Sequence, residues 1–253
     1  MTSTARDQGL VKSAARVLSV LEFFDQIQRE ASVAEVADRH GWPHSSTSVL
    51  MRSLVTLGYL HYDASSRTYV PSMRVALLGD WLKVTPALHG ELLQLLRHLN
   101  ESTGETIVLA AQNGLHTQYV RVLQGTNVVR THLHIGTRRP MLNPGTGRML
   151  LTAMDDASIR KHNALKEAPG PMEEDAVFKR LAEDRRRGYA LSMHQVTQYS
   201  GVISMLLPAV EGAQPLAIGI ATLSQQLVDR EDHYAQVLRD SIHRFMNSTE
   251  ENP

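Results

Sequence analysis

The chain has 253 residues, of which 42% are hydrophobic and 21% charged. That is enough apolar material for a buried core, and enough length for two domains of roughly 100–150 residues each. Lys plus Arg and Asp plus Glu both number 26, so any nucleic-acid surface has to be a local patch rather than a global polycation. The absence of cysteine removes disulfide frameworks, cysteine nucleophiles, iron–sulfur clusters and zinc ribbons. The opening MTSTARDQGL lacks the apolar core of a signal sequence and no run approaches the roughly 18 apolar residues of a membrane span, which reads as a cytoplasmic chain.

Ala14, Val17, Leu18, Leu21 and Phe24 recur at helical spacing and predict a helix over 13–27. Ser32 and Glu35 form a capping-box pattern that starts a second helix over 33–39, and His40-Gly41-Trp42-Pro43 stops it. A third helix runs over 45–58, capped by Ser45 or Ser46, with Leu50, Met51, Leu54 and Leu57 as its apolar stripe. Three short helices with a four-residue turn between the second and third make a helix-turn-helix. Two short strands at 59–62 and 68–70, around the polar loop 63–67, add a wing. Helices then run from Arg74 to Trp81 and from Pro86 to Leu99, the second preceded by the cap Thr85 and striped by Leu88, Leu92, Leu95, Leu96 and Leu99.

From 104 the apolar period changes to alternation. Strands are predicted at 106–112 and 118–123, two more near 127–135, and others at 189–193, 201–208 and 215–223. Helices are predicted at 146–154, 173–187 and 229–246. The irregular order favours a mostly antiparallel sheet with flanking helices. The fold class is therefore α+β, with a winged helix-turn-helix domain at 10–72, linker helices at 73–103 and a second domain at 104–250.

With the Leu stripe on the core, the third helix turns Ser45, Ser48 and Arg52 outward, and His44, Ser46 and Thr47 add hydrogen-bonding groups at its N-terminus, where phosphate is favoured. Arg suits guanine acceptors, and Ser or Thr suits bases and phosphates. Over 39–79 four Arg stand against one Asp, and Arg67 tips the wing. Taken singly, serines cap helices and an exposed Arg is solvated. Capped helix, turn, polar face and Arg-tipped wing in this order point to double-stranded DNA.

The segment GWPHSSTSVLMRSLVTLGYL at 41–60, with Tyr62-Asp63 and Arg67-Thr68-Tyr69, resembles the winged helix of the IclR family of bacterial transcriptional regulators. GTRRPMLNPGTGRMLL at 136–151, Arg187-Gly188-Tyr189 and Gly201-Val202 resemble its effector domain, so the likeness runs over about 12–245. The resemblance implies a GAF-like effector-binding domain, a homodimer or homotetramer on an operator, and a small ligand that alters DNA affinity through the helix at 86–100. This sequence departs from the family in carrying Ser192-Met193-His194-Gln195 where an acidic pair commonly follows Gly-Tyr, and Ser204 where some members have cysteine.

By the same resemblance, the effector meets the backbone at Gly145 and Thr146, then Ser192, Ser204, and Thr222 with Ser224. Asn143 to Gly147 at a helix start also suits a carboxylate on its own terms. Val129, Leu133, Met141 and Met205 are candidate apolar walls, although methionine there also serves as ordinary core filling. No Asp or Glu occurs between Thr106 and Met154, while Arg121, Arg130, Arg138, Arg139 and Arg148 do, which suits a small organic acid. His132 and His134 are too few for a metal site, and no GxSxG or GxGxxG pattern is present, so neither catalysis nor a cofactor is expected. The competing reading is a metabolite sensor or enzyme that uses its winged helix for protein contacts.

Overall fold

A computed structural model describes residues 11–79, 86–164, 172–194, 198–210 and 212–250, with 86–89 and 246–250 described by backbone alone. The chain divides into two compact units, 1–82 and 83–253. The first contains α1 (Lys12–Ile27), α2 (Val33–His40), α3 (His44–Thr56), β1 (Leu60–Asp63), β2 (Thr68–Pro71) and α4 (Met73–Leu77). The start of α2 follows from its capping box: Ser32 Oγ accepts from the Glu35 amide and the Glu35 carboxylate accepts from the Ser32 amide. Arg29 donates to the same carboxylate at 2.8 Å, and that bond, ahead of the one from Ser32, holds the Glu35 carboxyl below its usual range. Gly41, at φ 65°, ends the helix in a conformation that a side chain disfavours.

The start of α3 corrects the sequence reading. Its N-cap is Pro43 and no side chain caps it, because the Ser46 and Thr47 hydroxyls both turn back to the Pro43 carbonyl at 3.0 Å. Val20, Phe23, Phe24, Val36, Met51, Leu54, Leu60 and Tyr69 form the core of this unit, each contributing roughly 1.5–3 kcal/mol on full burial. Leu57, expected in that stripe, is exposed. Ala31 and Tyr69 exchange backbone hydrogen bonds at 3.1 and 2.8 Å, which fixes the β1–β2 hairpin as a wing beside the three helices.

The second unit contains α5 (Pro86–Thr103), β3 (Thr106–Asn113), β4 (His116–Leu123), β5 (Arg138–Pro140), α6 (Gly145–Thr152), α7 (Asp156–Asn163), α8 (Glu174–Arg187), β6 (Ala190–Met193), β7 (Ser200–Leu206), β8 (Leu216–Leu223), α9 (Ser224–Asp229) and α10 (Glu231–Glu250). Its six strands lie in the order β5-β4-β3-β8-β7-β6, every pairing antiparallel. The three central strands β3, β8 and β7 are buried almost end to end, so both faces of the sheet need cover.

One face carries Ile107, Leu109, Ile203, Met205, Ile218 and Ile220 against Leu95, Leu96 and Leu99 of α5 and Tyr234 and Leu238 of α10. The helix expected as a linker is thus built into the core of this unit; Trp81, Thr85 and the Leu88 side chain lie outside the described residues. The other face is covered by α6, whose Leu150 and Leu151 pack with Leu181 of α8 and with Ala190 and Ala217 of the sheet.

The two strands expected near 127–135 are absent. That segment is irregular and is held by side chains instead: Thr106 Oγ1 donates to the Thr131 carbonyl, and Gln124 donates to the Leu133 carbonyl. The position beside β4 is taken by β5, with Thr117 opposite Arg139.

Candidate functional site

On α3 the buried residues are Thr47, Met51 and Leu54, so the outward face carries His44, Ser45, Val49, Arg52, Ser53 and Thr56, with Ser48 half-buried at its margin. Three further hydroxyls bond back to the helix carbonyls, Ser53 to Val49, Thr56 to Arg52 and Ser46 to Pro43. The Ser45 and Ser48 hydroxyls make no such bond among the described residues. Thr47 is fully buried and already bonded, which removes it from any DNA-contact surface. Val49, 56% exposed on the same face, is absent from the sequence-predicted contacts because it carries no hydrogen-bonding group.

The start of α3 is positioned by a residue that the sequence did not reveal. Arg16 of α1 lies over the Trp42 ring at 4.3 Å and donates to Ser46 Oγ at 3.2 Å, while His40 stacks on Trp42 at 4.3 Å. Burial first, then Arg39 and Arg16, lowers the His40 pKa. At the wing, Asp63 accepts from the amide and hydroxyl of Ser65, and Arg67 stands exposed at φ 57°. Helix face and wing tip together present neutral donors flanked by Arg52 and Arg67, a surface suited to base edges and phosphates.

In the second unit, the sheet face under α6 gathers polar atoms with no partner among the described residues. They are Thr117 Oγ1 and Tyr119 Oη of β4, Thr146 Oγ1 of α6, Ser192 Oγ of β6 and Arg139 Nε of β5. Thr146 is 0% exposed and Tyr119 1%. Arg139 is close enough to Tyr119 to act on its ionisation, and the Tyr119 hydroxyl approaches Thr146 without closing a hydrogen bond. Burial pushes the Tyr119 phenol up to about 12, against smaller opposing effects of Arg139 and Thr146, so it remains a donor at neutral pH. Val108, Ala110, Leu133, Val202 and Ala221 form the apolar surround of Tyr119.

Several expected effector residues lie elsewhere. Met205 and Thr222 belong to the opposite face, by strand parity with Ile203 and with Ile218 and Ile220. Thr222 there donates to Gln226 at 2.7 Å. Ser224 has left the strand and opens α9, its amide bonded to the Tyr199 carbonyl. Val129 is 62% exposed in the irregular segment, whereas Met141 does lie on the α6 side, packed with Leu142 and Met149 as core filling. Leu133, Thr146 and Ser192 do share one face. Gly145 does too, but a Cβ on it would lie 2.5 Å from Ser204 Oγ and 2.9 Å from the Ala190 carbonyl, so it serves close packing, and Ser204 donates to Ala190.

Arg148 is not part of any open positive surface. It is 1% exposed; its Nε donates to Asp184 at 2.7 Å and its other nitrogens donate to the carbonyls of Asn143 and Leu191, which ties α6 to α8 and β6. His132 and His134 meet edge to face at 4.7 Å, and no cluster of three metal-ligating side chains occurs among the described residues.

Two family models cover this architecture. The model for the bacterial transcriptional regulator IclR C-terminal domain matches residues 88–245, and the IclR helix-turn-helix model matches 13–64. The chain belongs to the IclR family. The HTH-type transcriptional regulator XynR of Escherichia coli is 22% identical over 230 residues, covering 88% of this chain and 90% of that protein. The acetate operon repressor of Salmonella typhimurium is 25% identical over 200 residues, covering 74% and 71%. The crystal structure of an IclR transcriptional regulator from Alicyclobacillus acidocaldarius shares the fold, with a TM-score of 0.60 at 20% identity, over 94% of this chain and 99% of that one.

This IclR-family chain is therefore a DNA-binding transcriptional regulator with a C-terminal effector domain, and not an enzyme. Among the described residues no helix is long and apolar enough to cross a membrane.

Proposed function

We propose that this regulator acts in the cytoplasm and changes its operator affinity when the second unit binds a small organic acid. The observation that supports the reading is the set of buried hydroxyls without partners under α6, because buried polar groups are paired in roughly nine cases of ten. Thr146, Ser192 and Leu133, with the Gly145 backbone, form the effector set; Ser45, Ser48 and Arg52, with His44 and Arg67, form the DNA set. A relative named for an acetate operon is consistent with a carboxylate. A single recognition helix gives little specificity, so the operating species is a homodimer or a dimer of dimers on a roughly two-fold operator. Binding shifts the population between arrangements of its DNA-binding units through α5.

Fluorescence anisotropy on DNA from immediately upstream of the chain's own gene, against scrambled DNA and at two salt concentrations, tests the first half. Specific binding that weakens with salt is expected. Adding carboxylates to the same assay tests the second half, and equal operator affinity in ligand-free and ligand-saturated protein would overturn it.

A further inference from the structure

Arg139 of β5 stands opposite one of the unpartnered hydroxyls, that of Thr117, and its side chain is uncommitted. Thr117 and Arg139 are directly opposed in the β4–β5 pairing, which puts both side chains on the face under α6. The Arg139 side chain is half-buried; its Nε is enclosed without a partner, and the side chain makes no ion pair or hydrogen bond among the described residues. Arg148 of α6 is by contrast fully buried and engaged by Asp184 and two carbonyls. A buried, unpaired guanidinium nitrogen beside three unpaired hydroxyls is costly in isolation.

We infer that Arg139 reads the carboxylate of the effector, with the Tyr119 and Thr146 hydroxyls donating to the same ligand. The assignment rests on the effector reading above and adds the ligand class: a monoanionic carboxylic acid with a short apolar body. No carboxylate side chain occurs between Thr106 and Met154 to compete for Arg139. Asp184, the buried acid that packs against α6, is occupied by Arg148. A guanidinium takes a carboxylate through two parallel N–H bonds, a geometry that discriminates against an amide of the same shape. The body of the ligand faces Val108, Ala110, Leu133 and Val202. Thr117, opposite Arg139, adds a hydroxyl for a second oxygen, so a hydroxy or keto acid is favoured over the plain acid.

The test is calorimetric titration and thermal melting of the full chain with benzoate, lactate and pyruvate, each against its neutral amide, on wild type, R139L, R139K and Y119F. The expected result is that at least one acid binds wild type and raises its Tm while its amide does not. R139L then weakens that binding by on the order of tenfold to a hundredfold, and R139K less. Y119F is the control for folding: removing a hydroxyl that has no partner leaves the ligand-free melting unchanged or raised, yet weakens the acid. An acid that binds wild type and R139L equally overturns the role of Arg139 and leaves the effector reading standing. Equal binding of acid and amide overturns the carboxylate assignment. Failure of all three acids to bind wild type overturns both.

Discussion

On the sheet face toward α5 and α10, Thr222 donates to Gln226, and Glu105 accepts from Asn127 and from Tyr234 at 3.0 and 3.3 Å. On the face toward α6, Thr117, Tyr119, Thr146 and Ser192 are as deeply buried and accept or donate to nothing. Both faces are closed by helices over the same three central strands, so burial alone does not account for the difference. The first face is an apolar stack of Leu, Ile and Tyr around a small polar knot, in which Glu105 Oε1 takes both bonds and Oε2 none. The second is left incomplete from β5 across β4 to the N-terminal turn of α6, which is where the proposed ligand would complete the hydrogen bonding.

The sharpest way to break the comparison is at the buried ion pair that α6 makes with α8, which is complete. Replacing Asp184 with alanine leaves Arg148 buried without its anion, and a loss of about 3–5 kcal/mol is expected. A fall in the urea midpoint at unchanged slope would report it; a loss under about 1 kcal/mol would mean that Arg148 finds another partner. On the first face, Ile220→Ala removes three buried carbons from a packed cluster and is expected to cost about 2–5 kcal/mol by the same measurement.

These contrasts also show what the sequence made legible. The capping box at Ser32 and Glu35 and the glycine stop at Gly41 are local, so helix positions in the first unit followed from spacing alone. Face assignment in the second unit depends on strand register, and a slip of one residue inverts it. Thr222 was placed on the ligand side by resemblance, whereas the β8 residues that face α6 are Ala217, Gly219 and Ala221. The segment 127–135 alternates like a strand, yet Val128 and Val129 are 96% and 62% exposed and the ladder position belongs to Arg138–Pro140. Arg139 stood in the acid-free window with four other arginines, and composition gave no means of telling it from Arg148. Arg16 lies 30 residues before its partner Ser46, so the contact that orients α3 had no local signal.

A pH-dependent contrast sharpens the polar knot. Burial raises the Glu105 pKa above its ordinary value, against the opposing hydrogen bonds of Thr222, Tyr234 and Asn127 and the charge of Arg230. The folded state therefore holds this proton more tightly than the unfolded state does. The corresponding stabilisation is fully present below the unfolded value and is lost as pH rises through the folded one. Glu105→Gln keeps an oxygen for Asn127 and Tyr234 and cannot titrate. Its stability should match wild type in acid and exceed it at neutral pH, and urea midpoints across that range that stay parallel for the two proteins would contradict the buried-carboxyl account.

The smallest expected effect is the most telling for the two faces. Ser192 Oγ is buried and unpartnered, so Ser192→Ala in ligand-free protein should change stability by less than about 0.5 kcal/mol, since no hydrogen bond is lost and a desolvated hydroxyl is removed. Ser72→Ala in the first unit is the matched control. That hydroxyl donates to the Gly58 carbonyl at 2.6 Å and caps α4, and its loss should cost roughly 1 kcal/mol. Two serines of similar burial then differ only in whether the protein supplies a partner. If Ser192→Ala were as costly as Ser72→Ala, the hydroxyl would already be satisfied in the ligand-free state, and the line of polar atoms under α6 would be structural rather than a place for an acid.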